Sequence, residues 1–265
     1  MRALVVALLA LLAWPAVGAE RLISLGPSVT EIVLELGAVD LLVGVLDAGP
    51  RPPAAAHVPS VGRYGQLEME RVISLQPDLV LLLPESISRA QRQQLQAFGI
   101  PMLVVKPRKL ADLAQQFVEI GTRIGRAEQG LRLQQQFLQG MAGLAQRYQR
   151  PQPLRVFYQV WDVPLYTLGG QQIISDALRV CGAENIFADL SLPAPQVSVE
   201  AVLQRNPEVI LAGTQTQLEA WRKWPVVRAV ELKQLWLVPD EGMERPSFQM
   251  LGAMEKLCEQ LAAAE

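Results

Sequence analysis

Histidine and cysteine are scarce in this sequence of 265 residues, which contains one histidine, His57, and two cysteines, Cys181 and Cys258. A site that captures bare zinc or manganese ions needs several histidine and carboxylate ligands. The single histidine therefore argues against a receptor for free divalent metals, and we predict no metal site. His57 lies in a loop rich in proline and alanine, where we expect its side chain to be solvated.

Motifs of catalysis and of nucleic-acid binding are also missing. The sequence has no Gly-x-Ser-x-Gly nucleophile elbow and no glycine-rich phosphate-binding loop, and one loop histidine is a poor start for a catalytic triad. Its 24 basic and 26 acidic residues give a formal net charge of −2, whereas nucleic acid favours basic proteins. We therefore expect neither an enzyme nor a nucleic-acid-binding protein. An enzyme that works with Asp and Glu alone is the open alternative.

Long apolar runs are confined to the start of the chain. Met1 and Arg2 precede the almost wholly apolar residues 3–16, and small residues follow at 17–19. This order predicts a secretory signal peptide over residues 1–19, cleaved after Ala19, because the apolar stretch is short for a membrane span. A retained membrane anchor is the alternative. A lipid anchor is not expected, since no cysteine lies near the cleavage position.

Export changes what the two cysteines are expected to do. In an oxidising compartment a pair of cysteines most simply forms a disulfide, here between Cys181 and Cys258. The closed loop would be long, so the chain-entropy model assigns the bond roughly 4 kcal/mol of stability. Two unrelated buried thiols are the alternative.

Short apolar strands alternate with helices in both halves of the chain, which predicts α/β structure with parallel sheets. We expect a first lobe over residues 20–109 and a second lobe over residues 151–265. Residues 110–150 between them are predicted to form helices, one long enough to cross between lobes, with an apolar stripe that includes Leu131 and Leu138. The predicted fold is two Rossmann-like lobes joined by a single long rigid helix.

Two segments, residues 69–83 and 199–213, align without a gap. Each has the pattern of a short helix, a turn and a buried strand, with a glutamate near the helix start: Glu70 in the first copy and Glu200 in the second. One explanation is structural, because the helix dipole stabilises carboxylates in a first turn. The other is functional, because two related lobes could each present one acid to a two-fold symmetric partner.

Several motifs in combination resemble the periplasmic substrate-binding proteins of iron-siderophore, haem and cobalamin import systems. These motifs are RLISLGPSVTEIVLELGA, ERVISLQPDLVLL, VCGAENIF, PQVSVEAVLQRNPEVIL and ERPSFQML. The resemblance covers essentially all of the mature chain and is greatest for the cobalamin-binding branch. It implies a monomeric periplasmic protein without a cofactor, whose two α/β lobes hold a transported ligand in the cleft between them.

The resemblance also implies roles for individual residues. One surface glutamate per lobe docks onto the dimeric permease of an ABC transporter in this family, and Glu70 and Glu200 stand at the matching positions. The cobalamin-binding branch carries a disulfide that matches Cys181 and Cys258. This pairing favours the corrinoid branch over the siderophore binders, which often lack the disulfide.

The predicted cleft should hold a bulky chelate with apolar faces and peripheral amides or carboxylates. Rigid aromatic side chains and forked arginine donors suit such a ligand. Three groups of loops can supply them: residues 25–30, residues 47–68 and, from the second lobe, residues 161–166, 192–196 and 240–248. The candidate ligand-binding residues in these loops are Arg63, Tyr64, Trp161, Tyr166 and Arg245.

Departures from the resembled branch leave the ligand open. Those proteins carry a tryptophan where Ala194 stands, another close to Arg63 and Tyr64, and a tyrosine near Ala48. We expect cobalamin or a related corrinoid, with cobinamide, haem or a ferric siderophore as alternatives. A scaffold or sensor that uses the same fold without transport is a further alternative class.

Overall fold

A computed structural model describes residues 18–264 of the chain. The predicted signal peptide lies almost wholly outside the described residues. Within residues 18–264, no helix combines the length and the apolar character that a membrane crossing requires.

The first sheet has six strands in the spatial order β4-β3-β2-β1-β5-β6, and every neighbouring pair is parallel except β3 and β4. The four residues of β1 and of β5 are all buried, as expected for central strands covered on both faces. The strands are β1 (Leu22–Leu25), β2 (Leu42–Asp47), β3 (Ser60–Arg63), β4 (Gln66–Leu67), β5 (Leu79–Leu82) and β6 (Met102–Val104). The helices of this lobe are α1 (Pro27–Glu35), α2 (Met69–Ser74) and α3 (Arg89–Ala97).

Two long helices follow the first sheet, α4 (Leu110–Arg123) and α5 (Ala127–Arg147). They pack closely because Gly130 of α5 faces the backbone of α4, where an added Cβ would lie 2.4 Å from the Phe117 carbonyl oxygen. Phe117 also meets Phe137 of α5 edge to face, with ring centroids 5.6 Å apart. The Phe248 ring from the end of the chain completes this aromatic cluster.

The second sheet has the order β11-β10-β7-β8, with β9 beside the first part of β7. All its pairs are parallel except β7 and β8. The strands are β7 (Leu154–Asp162), β8 (Leu165–Thr167), β9 (Ala183–Asn185), β10 (Val209–Ala212) and β11 (Leu235–Leu237). The helices are α6 (Ile173–Val180), α7 (Val199–Arg205), α8 (Gln215–Glu219), α9 (Arg228–Glu231) and α10 (Met250–Ala262).

The predicted disulfide is present and joins the end of α6 to α10. Cys181 and Cys258 are bonded, and both cysteines are buried in the same core cluster as α4 and α5. The closing helix is thereby tied covalently to the second lobe.

The buried face of α5 is shifted by one residue from the predicted apolar stripe. Leu131 and Leu138 are 46% and 40% exposed, whereas the fully buried positions are Gly130, Phe137 and Leu144. The prediction followed leucines and gave no weight to glycine. Gly130 nevertheless marks the packed face, because only a residue without a side chain allows α4 to approach so closely.

Residues 47–68, predicted above to be a loop that reaches the cleft, contain regular structure, so the prediction of a loop throughout is wrong. Ser60–Arg63 form β3, which pairs with β2 on one side and with β4 on the other. Val61 is fully buried between them. The proline-rich composition conceals this strand because it is short and follows a 3-10 turn at Pro53–Ala55.

Candidate functional site

The two lobes contact each other through helix α1. This helix directly follows β1, and its Glu35 accepts hydrogen bonds from the backbone N–H groups of Phe248 (2.8 Å) and Gln249 (3.1 Å). Those two residues follow β11 of the second sheet. Open α/β sheets bind ligands outside the carboxyl ends of their strands, so the edge of each lobe where its parallel strands end is the candidate site.

A second carboxylate on α1 takes part in the same contact. One oxygen of Glu31 lies 3.6 Å from an Arg245 nitrogen, and the other accepts from the Ser247 hydroxyl (3.3 Å) and from the Gln249 side-chain amide. Glu31 and Glu35 are one helical turn apart and therefore reach the same segment. Together they fasten α1 of the first lobe to residues 245–249 of the second.

Burial controls the charge of both carboxylates. Burial raises the pKa of Glu35 to about 7, although the N–H groups of Phe248 and Gln249 favour its charged form. Burial also raises the pKa of Glu31, opposed first by the charge of Arg245 and then by hydrogen bonds from Ser247 and Gln249. The contact between the lobes is thus sensitive to proton concentration.

Sequence reasoning missed Glu31 and Glu35, although a signal was present. The helix sequence PSVTEIVLE offers no polar face, and its residues from Ser28 to Val33 are all buried. An acid in such a helix needs a buried partner, because an unpaired charge is costly to bury. The partners come from residues more than two hundred positions away, which the sequence pattern cannot identify.

Arg63 and Tyr64 lie on the tight turn between β3 and β4. Both are exposed, and the Tyr64 ring is 55% accessible. The Tyr64 N–H donates to the Asp47 carbonyl oxygen (3.2 Å) at the end of β2. The Asp47 carboxylate is held by Ser60 (2.6 Å) and Arg51 (2.5 Å), which keep its pKa below the usual range. These hydrogen bonds fix the backbone that carries the exposed Tyr64 ring.

Trp161 and Tyr166 are partners across the β7–β8 hairpin of the second lobe. Trp161 stands near the end of β7 and is 58% exposed, while Tyr166 is partly buried. Val163, in the turn of the same hairpin, is 82% exposed. Exposed apolar side chains on one hairpin suit a binding site.

Arg245 stands where the two lobes meet. Its side chain is 32% exposed and lies between the nearly buried Glu31 of the first lobe and the exposed Glu241 (3.4 Å) of the second. A guanidinium has five N–H donors. These two ion pairs therefore leave donors that a ligand in the cleft can use.

A small recess in the first lobe lies beside this contact. It has a volume of about 20 Å³ and is lined by residues that include Thr30, Glu31, Ala48 and Arg51. That volume accommodates about one water-sized group. Ala48, which lines this recess, has a small side chain, whereas the proteins that the sequence resembles carry a tyrosine near this position.

The structure supports the duplication seen in the sequence. In the first lobe, the Arg21 N–H donates to Asp78 (3.0 Å), and the Arg21 guanidinium donates to the Leu75 carbonyl oxygen (2.6 Å). In the second lobe, the Arg155 N–H donates to Glu208 (2.9 Å), and its guanidinium donates to the Arg205 carbonyl oxygen (2.5 Å). We call this pair of hydrogen bonds from one arginine a bracket. The same bracket fixes α2 on the first sheet and α7 on the second.

The turn of each copy adds a further match. Gln76 and Asn206, equivalent in the alignment, both adopt a left-handed backbone with φ of 46° and 43°. Few residues other than glycine adopt this conformation. The two copies thus share a turn geometry that their different side chains do not require.

Glu70 and Glu200 are both exposed in the first turn of α2 and α7. Each helix leads through its turn into the start of a parallel strand, so its amino end points toward the edge where the strands finish. The Glu200 N–H and the Ser198 hydroxyl lower the pKa of Glu200, which remains charged at neutral pH. The two acids occupy equivalent places near the candidate cleft.

The remaining sequence expectations concern histidine and metals. His57 is exposed, as expected for a loop histidine. Among residues 18–264, no group of three or more His, Cys, Asp or Glu side chains is arranged to hold a metal ion.

Comparisons with known proteins agree with this architecture. The model of the family described as periplasmic binding protein matches residues 22–237. A vitamin B12-binding protein of Yersinia pseudotuberculosis serotype O:1b (strain IP 31758) is 36% identical over 267 residues, covering 99% of this chain and 93% of the relative.

Solved structures give the same result. The periplasmic vitamin B12 binding protein BtuF of Vibrio cholerae is 31% identical, with a TM-score of 0.81 and coverage of 92% of this chain and 96% of the other. The periplasmic heme binding protein HutB of the same organism shares the fold, with a TM-score of 0.79, 20% identity and coverage of 91% and 98%.

The family match covers most of the chain, and the two lobes have the sheet order and closing contacts described above. This chain belongs to the periplasmic binding protein family.

Proposed function

We propose that this protein captures a corrinoid, cobalamin or a close relative, in the periplasm and delivers it to the permease of an ABC importer. The similarity to vitamin B12-binding proteins over almost the whole chain carries this proposal. The exposed aromatic side chains at the facing edges of the lobes support it, because a corrinoid has broad apolar faces.

Five residues are proposed to contact the ligand: Arg63, Tyr64, Trp161, Tyr166 and Arg245. Tyr64 belongs to the first lobe and Trp161 to the second, and both are exposed; we propose that they cover opposite faces of a flat ligand. Arg63 and Arg245 offer forked donors to amides or a phosphate at its periphery. Replacing Tyr64 and Trp161 singly by alanine should weaken binding, because each removes a rigid ring from the site.

Haem or a ferric siderophore is the second candidate ligand. Ala48 and Ala194 are small where the resembled cobalamin binders carry rings, and Ala194 is exposed between two prolines. A pocket with fewer rings suits another planar or globular chelate. Isothermal titration of the mature protein with cobalamin, cobinamide, haem and ferric hydroxamate tests this order of preference. Tighter binding of haem or of the siderophore than of either corrinoid would refute the first proposal.

Docking to the permease is assigned to Glu70 and Glu200. Their support is the matched Arg21–Asp78 and Arg155–Glu208 brackets, which place both helices alike on their sheets. A dimeric permease with two-fold symmetry would meet one acid from each lobe.

The charge-reversal variant Glu70→Arg/Glu200→Arg should bind ligand like the wild type but abolish uptake in cells that depend on this protein. A matched control is Glu119→Arg/Glu259→Arg, which reverses two exposed acids on α4 and α10. Normal uptake by the first variant, or equal loss in both, would contradict the docking assignment.

Export with cleavage after Ala19 is part of the proposal. Cleavage would make Glu20 the amino-terminal residue, and its backbone nitrogen lies 2.8 Å from an Asp78 oxygen. A new ammonium group would therefore meet a carboxylate already in place. Amino-terminal sequencing of the protein recovered from the periplasm tests this position.

The proposed protein is a monomeric carrier that needs no cofactor and performs no chemistry. Its division into lobes at residues 20–109 and 151–265, joined by residues 110–150, is part of the same proposal. Recovery of the bound ligand in unaltered form would support a carrier, whereas a modified ligand would indicate an enzyme. Equilibrium sedimentation with and without ligand tests whether the protein is a monomer.

A further inference from the structure

We propose that Glu31 is a positioning residue for Arg245, so that the first lobe orients a ligand donor supplied by the second. This inference rests on the proposed function, in which Arg245 contacts the transported ligand. It adds a residue that touches no ligand itself and acts through the guanidinium.

The two acids beside Arg245 differ in their surroundings. The Glu31 side chain is 11% exposed, whereas the Glu241 side chain is 89% exposed. An exposed ion pair is weakened by water and contributes little. The nearly buried Glu31 acts through a lower effective dielectric, so it is the acid that holds the guanidinium in place.

Glu31 is itself held in position. Its second oxygen accepts from Ser247, which is fully buried, and from the side-chain amide of Gln249. Both partners belong to the segment that contains Arg245. Glu31, Arg245 and the two anchoring groups thus form one unit that spans the lobe boundary.

Orientation matters because arginine has a long side chain with many rotamers. A guanidinium that is free before binding must be ordered by the ligand, which lowers affinity. A guanidinium already fixed by Glu31 presents its remaining donors without that cost. Loss of the Glu31 charge should therefore weaken binding about fivefold, the typical penalty for ordering one such side chain.

The charge of Glu31 gives the inference a signature in pH. The charged or titratable groups that face it are Arg245 and its partner Glu241, Glu35 on the same helix, and Arg51 across the recess. Burial raises the pKa of Glu31 above 4.5. Acidification therefore removes the Glu31 charge, and with it the attraction that holds Arg245, more readily than for an exposed glutamate.

Isothermal titration with cyanocobalamin at pH 8 and pH 4.5 tests the inference on the wild type, Glu31→Gln, Arg245→Gln and the double variant. We expect Glu31→Gln to bind about fivefold more weakly than wild type at pH 8. The wild type should lose affinity at pH 4.5, by no more than that factor, and Glu31→Gln should lose little. In the double variant the Glu31 substitution should add nothing to the loss caused by Arg245→Gln, since its effect acts through that residue.

The matched control is Glu35→Gln, the same substitution one turn along α1. Glu35 contacts the same segment but not Arg245, so this variant should bind within about twofold of wild type. Equal weakening by both variants would show that loosened lobes are responsible, and would overturn the inference. Additive losses in the double variant would also overturn it.

The wild-type pH profile needs no variant and remains decisive if Glu31→Gln does not fold. Equal affinity at pH 8 and pH 4.5 would overturn the inference while leaving the proposed function intact. A wild-type protein that binds neither cyanocobalamin nor cobinamide at either pH would refute the proposed corrinoid function, and the inference with it.

Discussion

The raised pKa of Glu35 makes protein stability depend on pH in a direction opposite to that of most carboxylates. Burial raises this pKa from 4.5 to about 7, with the Phe248 and Gln249 N–H groups opposing the change. A group whose pKa is higher in the folded than in the unfolded state binds its proton more tightly when folded. The stability linked to that proton is complete below pH 4.5 and is lost as pH rises through 7.

The size of the effect follows from the gap between the two pKa values. A gap of about 2.5 corresponds to roughly 3 kcal/mol when fully expressed. Between pH 5 and pH 8, the Glu35 contribution to the free energy of unfolding should fall by about 2 to 3 kcal/mol. Glutamine carries no titrating proton, so Glu35→Gln should lack this dependence.

The assay is urea unfolding of wild type and Glu35→Gln at several pH values from 5 to 8. Tryptophan fluorescence and circular dichroism should be followed together, since coincident transitions are needed before free energies can be compared. The quantity of interest is the difference between the two proteins, because other carboxyls titrate equally in both. Glu259→Gln, an exposed acid on α10, is the matched control and should follow the wild type.

Parallel stability curves for wild type and Glu35→Gln would refute this account of the contact between the lobes. They would mean that the two backbone N–H donors, not burial, determine the state of the carboxyl. A Glu35→Gln variant that gains stability relative to wild type as pH rises would support it.

Two other predictions concern packing and the disulfide. Gly130→Ala should destabilise the protein by about 1 to 3 kcal/mol, because the new Cβ would lie 2.4 Å from the Phe117 carbonyl oxygen. Gly143→Ala, whose new Cβ would have nothing within 4 Å, should stabilise the protein by about 0.5 to 1 kcal/mol. Similar urea midpoints for the two variants would count against the close approach of α4 and α5. Replacing Cys181 and Cys258 together by alanine opens a link between residues 77 positions apart and should cost about 4 kcal/mol; an unchanged urea midpoint would show that the link does not constrain the unfolded chain.

The elements that sequence reasoning located correctly share a strong local signal. Short apolar runs between turn residues predict strands over residues 22–25 and 79–83, and the structure has strands at Leu22–Leu25 and Leu79–Leu82. Helix α4 has a clear apolar face and begins at Leu110, as predicted. Repetition of the helix-turn-strand unit added a second, independent signal for the two-lobe organisation.

The elements that sequence reasoning missed depend on distant partners. The strands β3, β8 and β9 have only three or four residues each and form because a neighbouring strand pairs with them. No side chain caps α1: Ser28 and Thr30 are buried within the helix, and the Thr30 hydroxyl donates back to the Gly26 carbonyl oxygen. The Thr30 hydroxyl also shares a hydrogen bond with the Ser24 hydroxyl of β1, which the local sequence does not predict.

The candidate site divides in the same way. Tyr64 and Trp161 could be named from sequence because aromatic residues in loops after strands are conspicuous, and both side chains are exposed in the structure. Arg245 could be named as a donor, but its attachment to Glu31 could not. That attachment joins α1 to a segment more than two hundred residues away and follows only from the way the lobes are docked.

The proposed docking residues and the proposed ligand-binding residue Arg245 depend on one shared contact between the lobes. The Arg21 and Arg155 brackets fix α2 and α7 on their own sheets, so the separation of Glu70 and Glu200 can change only when the lobes move relative to each other. That motion is opposed by α5, which is packed into α4, and by the bonds that Glu31 and Glu35 make to residues 245–249. A ligand that contacts Arg245 acts on the same segment. Ligand binding should thus alter the lobe angle only slightly, with little change in small-angle scattering, since a large closure would have to break the contact that orients the binding residue.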